Sequence, residues 1–159
     1  MNKTELLEQI INALNESLAL LEKAARASHA EATHESSKAE NKYDTRGLEA
    51  AYLARGQSRQ AKEILDSIKL YQKLDLKEFG PGEAVDLTAL VDLSADGTSS
   101  TYFIGPRHGG LEVNFRGQEI TVITPESPLG QELVGKKAGQ RWAAKLGGLA
   151  VKYHLVAVR

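Results

Sequence analysis

Apolar residues recur at helical spacing through the first half of the chain. Leu7, Ile11, Leu14, Leu18, Leu21, Ala25, Ser28 and Ala32 step alternately by four and three, a seam of about 3.5 residues. A second seam runs through Ala50, Ala54, Ala61, Ile64, Ile68 and Tyr71. Matching the seams end to end pairs Leu7 with Tyr71, Leu14 with Ile64 and Ala25 with Ala54. The spacing therefore predicts an antiparallel coiled-coil hairpin over residues 1–78 that folds back within "SSKAENKYDTRG", with its tip near 36–46. Arms of about 30 residues rising 1.5 Å each would reach roughly 45 Å. The seam is graded: Leu, Ile and Tyr form its base, while Ala and Ser fill the distal half. Small seam residues bury little area, so the arm should thin towards its tip.

A break follows. The first 78 residues hold no proline and two glycines, Gly47 and Gly56, whereas all four prolines lie beyond them. "FGPGE" cannot continue a helix, which predicts a linker at 79–82 and a second domain at 83–159. There the period changes to two. "AVDLTALVDL", "STYFIG", "LEVNF", "EITVIT" and "LAVKYHLVAV" read as five short strands, rich in β-branched and aromatic residues. Ser127 is a good N-cap, Pro128 suits the first helical position and Gly135 suits the stop, which gives one short helix. The fold class expected is α+β, a helical hairpin followed by a small, mostly antiparallel sheet.

Composition narrows the function classes. Twenty Lys and Arg against 21 Asp and Glu argue for no particular partner, and the absence of cysteine excludes a disulfide framework and thiolate chemistry. No run approaches the ~18 apolar residues of a membrane span. A soluble, cytoplasmic, monomeric protein is expected. Nucleophilic catalysis finds no support, because the chain has neither cysteine nor a G-x-S-x-G elbow. "GPRHGG", between two predicted strands, reads as a hairpin loop rather than a phosphate cradle. His29 and His34 are five apart and cannot share a metal from one regular helix, while His154 reads as a sheet-packing residue.

The fold-back segment offers more. Glu40 and Asp44 are four residues apart and would share a helix face, where two carboxylates suit a hard cation such as Mg²⁺. Ser37-x-x-Glu40 also has the form of a capping box, with Asp44 or Thr45 capping a later start, so a purely structural role stays open. From Lys38 to Lys62 there are six basic residues against three acidic ones, Glu40, Asp44 and Glu49. Such a run is usually a solvated face, but it also suits a nucleic-acid backbone.

The hairpin, the Pro/Gly junction and "ITPESPLGQELVGKKAGQ" together resemble the bacterial Gre-type (GreA/GreB family) transcription elongation and transcript-cleavage factors. The most specific segment is Thr124–Gly139, with Ser127-Pro128, Leu133-x-Gly135-Lys136 and Gly139. "KAENKY" resembles that family's K-E-N-x-E-Y tip. The resemblance implies an FKBP-like second domain that docks on RNA polymerase at the secondary channel, through the Ser127, Pro128, Leu129 and Gly130 segment. It implies that Glu40 and Asp44 assist the polymerase's own Mg²⁺ in hydrolysing the 3′ end of backtracked RNA. An added carboxylate holds the second ion where it activates water. Arg46, Arg55, Arg59 and Lys62 become candidates for contacting RNA. The factor would be no enzyme alone and would carry no cofactor or metal of its own. The tip departs from the family's Asp-x-x-Glu-Asn, since Ser37 or Asn41 falls at the Asp position. A channel-occupying regulator without cleavage stimulation is therefore an alternative. A chaperone-like or scaffolding coiled coil is another, and a prolyl isomerase is disfavoured by the few aromatics of the second domain.

Overall fold

The structure is a computed structural model that describes residues 2–33 and 46–159, with the side chains of Ser28, Ala32 and residues 46–54 left aside. The described residues form an α+β fold, with two long helices and a six-stranded mixed sheet. Helix α1 spans Lys3–Thr33 and α2 spans Arg46–Gln72. At 1.5 Å per residue these are about 46 and 40 Å long. Packing divides the chain into two compact units, Ile11–Gln72 and Met1–Ile10 with Lys73–Arg159.

In the helical unit Leu14, Ile64, Ile68 and Tyr71 are buried. Leu18, Leu21, Ala24 and Ala25 are half-buried, and Arg26, Ala27 and His29 to Ala30 are exposed. Burial thus declines along α1 as the seam residues shrink. Leu20 is 70% exposed and lies off the seam. The fold-back segment, with Glu40, Asp44 and the capping box, lies outside the described residues.

The sheet unit holds β1 (Leu90–Ala95), β2 (Thr98–Ile104), β3 (Glu112–Phe115), β4 (Gln118–Ile123), the six-residue helix α3 (Pro128–Leu133), β5 (Arg141–Leu146) and β6 (Leu149–Val158). Their spatial order is β3-β4-β2-β1-β6-β5. Every neighbouring pair is antiparallel except β2 with β4. The three hairpins share one device. Asp96-Gly97, Arg116-Gly117 and Gly147-Gly148 all hold positive φ at both central positions, between 47° and 87°. Two-residue turns of that hand follow the right-handed twist of the strands they join.

Three expectations change. "GPRHGG" is a crossover, not a hairpin loop: it carries the chain from β2 past the seat later filled by β4, so β3 lies at the edge. "AVDLTALVDL" becomes a strand only from Leu90, because Thr88 turns to φ 69° and Ala84 makes an isolated bridge to Lys137. Finally, β5 was absent from the pattern. "RWAAKL" has two alanines and a lysine, which carry little strand propensity, and the tight Gly-Gly turn pairs it with β6.

One sheet face carries the core. Val91, Leu93, Ile104, Ile123, Tyr153 and Leu155 gather there with Phe79, Val85 and Leu133. The second face is divided. Towards β3 and β4 it buries Leu90, Phe103, Ile120 and Val122 completely. Towards β5 it is polar, with Asp92, Ser94, His154 and Arg141. The start of α1 is fixed within this unit: Lys3, 3% exposed, donates to the Lys77 carbonyl and sits 4.7 Å above the Phe79 ring.

Candidate functional site

The segment Ser127–Gly130 folds as a capped helical start. Ser127 Oγ accepts the Gly130 N–H at 3.0 Å and donates to the Thr124 carbonyl at 2.8 Å. Pro128 occupies the first turn, where its missing N–H costs nothing. Gly130 is buried, and a Cβ there would lie 1.9 Å from the Thr124 carbonyl oxygen. Leu129 packs half-buried against the core and Leu133 lies fully inside it. Downstream, Gly135 adopts φ 85° and its N–H reaches the Val85 carbonyl at 2.9 Å. Of the four residues, Pro128 alone is exposed. Ser127, Gly130 and Gly135 thus hold this segment in shape, and its outward contribution comes from Pro128 and from what the turn positions beside it.

On α2, Arg55, Arg59 and Lys62 are exposed, and steps of four and three place them on one helix face over roughly 10 Å. Arg46 begins the helix, with its side chain outside the description, as are the side chains of Glu40 and Asp44. The basic trio is therefore assembled by the helix, while the pairing of the two acids has no geometry to report. His29 is exposed on α1 and His34 lies outside the described residues. Among the described residues no three His, Asp or Glu side chains are grouped to hold a metal.

Sequence reasoning missed the polar part of the second sheet face. A groove of about 630 Å³ lies there, lined by Ser94, Asp96, Arg141, Trp142, Lys152 and His154 among others. Its floor is ordered by pairing: Ser94, His154 and Arg141 form one cross-strand row, and Lys152 stands opposite Ala143. Asp96 is already committed, since its carboxylate accepts the Lys152 N–H at 2.9 Å. Trp142 stacks on Tyr153 at 5.4 Å between centroids, and Lys136 Nζ lies 4.7 Å from the indole. Burial raises the Tyr153 phenol above its usual value, reinforced by neighbouring Tyr102, Asp96 and Glu132. The signal for this site was Arg-Trp beside a Gly-Gly turn, legible only once β5 is recognised as a strand.

Beside the groove runs a second polar cluster. Thr101, 5% exposed, donates to Asp92 at 2.8 Å and accepts from Gln118. Arg159 closes on the other Asp92 oxygen at 2.7 Å. Every member is paired to another, so the cluster reads as a stitch across β1, β2 and the chain's last residue.

No family model matches the chain, and no curated protein matches it in sequence. Among solved structures it is similar to GreA factor homolog 1 (Gfh1) of Thermus thermophilus, at 21% identity over 98% of this chain and 93% of that one, with a TM-score of 0.38. Gfh1 of Thermus aquaticus gives 22% identity over 98% and 92%, with the same TM-score. The transcription elongation factor GreA/GreB from Nitrosomonas europaea gives 19% over 74% and 94%, with a TM-score of 0.36. Superpositions this loose leave the functional reading to the chain's own residues.

Proposed function

We propose that this protein is a transcription elongation factor that binds bacterial RNA polymerase. In this reading the sheet unit docks at the rim of the secondary channel and the helical arm enters it. The tip acids Glu40 and Asp44 then act beside the polymerase's Mg²⁺ on backtracked RNA. The observation that carries the reading is the Thr124–Gly139 segment. Its family-like residues Ser127, Pro128 and Gly135 each have a defined conformational task there, as cap, first-turn residue and positive-φ turn. The exposed Arg55, Arg59 and Lys62 face supports the RNA part, because phosphate contacts need clustered cations and little else.

The chain acts here as a ligand donor and not as an enzyme. Mg²⁺ belongs to the polymerase and supplies the activated water. Glu40 and Asp44 hold or bias that ion, and the α2 cations hold the extruded RNA. The four-residue acid spacing favours a second reading, in which the tip occupies the channel and slows synthesis without stimulating cleavage.

A stalled, backtracked elongation complex tests both. Shortening of the RNA by wild type, lost in Glu40→Ala with Asp44→Ala, supports cleavage stimulation. Unchanged RNA length with slowed extension supports the channel-occupying reading. Failure to bind polymerase at all refutes the whole class.

A further inference from the structure

The strand β5 ends the sheet. Among the described residues its one strand neighbour is β6, so its other side presents backbone N–H and C=O groups to no partner strand there. Its residues alternate: Trp142, Ala144 and Leu146 pack against the core, while Arg141, Ala143 and Lys145 are exposed on the polar face. Lys152 stands opposite Ala143 on β6, and the 630 Å³ groove opens beside them. The face is rich in donors. Arg141, Lys145 and Lys152 are exposed cations, and the acids beside them are engaged, Asp96 by the Lys152 backbone and Asp92 by Thr101 and Arg159.

Such a face calls for an acceptor-rich, negatively charged occupant that can also satisfy a strand edge. RNA suits it poorly. Stacking platforms for bases need a free aromatic face, and Trp142, the chain's single tryptophan, is already engaged by Tyr153 and Lys136. A second copy suits it poorly too. Antiparallel pairing of two β5 strands about Ala143 would set Arg141 opposite Lys145, a like-charge contact. The remaining free edge, β3, offers one exposed acid, Glu112.

We propose that β5 takes an extended, acidic segment of a partner protein as a seventh strand, its backbone pairing with the free edge and its alternate carboxylates seated against Arg141, Lys145 and Lys152. Alternation fits this occupant because side chains on one strand face recur every second residue, as Arg141, Ala143 and Lys145 do. The proposal stands independently of the polymerase reading.

The test uses the full chain and a short capped peptide of alternating threonine and glutamate, with Trp142 fluorescence as the readout. Two isomers of the peptide carry N-methyl groups on one or the other alternate set of backbone nitrogens. Strand addition requires one isomer to lose binding while the other keeps it. Reversing Arg141→Glu and Lys145→Glu together should weaken binding by roughly tenfold or more, since each is an exposed charge pair turned repulsive. Both positions are exposed, and far-UV circular dichroism checks that the variant folds. No binding by wild type, equal binding of both methylated isomers, tighter binding of oligouridylate, or self-association that the reversal abolishes would each overturn the proposal.

Discussion

Gly130→Ala puts the capped turn to a direct test. The added Cβ would sit 1.9 Å from the Thr124 carbonyl oxygen and 2.9 Å from Ser127 Oγ. The first is a backbone atom that cannot swing aside, and the same carbonyl accepts the Ser127 hydroxyl at 2.8 Å. Relief therefore requires α3 to move off the sheet, taking Leu133 from its fully buried place. Overpacking of this kind costs about 1–3 kcal/mol. Loss of the Ser127 cap adds about 1 kcal/mol. The expected total is about 3 kcal/mol, or at least ~10 °C in Tm for a unit of this size. Trp142 lies in the sheet unit, so its fluorescence during urea or thermal unfolding reports the right half of the protein. The chain has no cysteine, and thiol chemistry cannot distort the transition. Ser127→Ala should lose about 1 kcal/mol, because it removes the cap and leaves the space. A Gly130→Ala protein within about 0.5 kcal/mol of wild type would refute the steric account.

Three further outcomes follow from particular contacts. Burial pulls the Lys3 ammonium below its usual 10.5, against the opposing pull of Glu78. The unfolded chain then binds more protons between the depressed value and 10.5, so stability should rise with pH through that window. Measured against Lys3→Met, wild type should gain as the pH approaches 10.5, and a flat difference in urea midpoints would contradict this. At Gly147, φ is 67° and a Cβ would meet nothing within 4 Å. Gly147→Asn should therefore stabilise by up to about 1 kcal/mol, since Asn tolerates this conformation and orders the unfolded chain; a lowered Tm would refute it. Thr101→Val keeps the shape but leaves Gln118 and Asp92 each one partner short. A loss of about 1–2 kcal/mol is expected in the same unfolding assay.

The helices, most strands and the capped turn were legible because each is a local pattern. The helices announce themselves by period, although α1 buries Leu6 and Ile10 where the seam named Leu7 and Ile11, and Ser127-Pro128 shows itself by the chemistry of a helix start. What escaped depends on partners distant in sequence. Strand β5 owes its place to β6 and a Gly-Gly turn, not to its own alanines. The parallel β2/β4 seam cannot be read from "GPRHGG", which has the composition of any turn. Lys3 looks like an ordinary surface lysine, and its burial follows from Lys77 and Phe79 some seventy residues later. Of the candidate site, Ser127 and Pro128 stood out as motif members, and Leu129 and Gly130 as their neighbours in the segment. Their conformational duties, and the groove beside β5, emerged only from the assembled sheet.

The crossover also sets how the sheet can come apart. β3 touches the rest of the sheet through β4 alone, and β4 joins β2 by the single parallel seam. The pair β3–β4 is therefore a local hairpin closed by Arg116-Gly117, which can form early and then dock along one edge. The other four strands form a continuous antiparallel run that needs no help from it to pair. Hydrogen exchange should thus separate two populations of amides. Those of β3 and β4 open together as one unit, while those between β2 and β1 and between β1 and β6 wait for global unfolding.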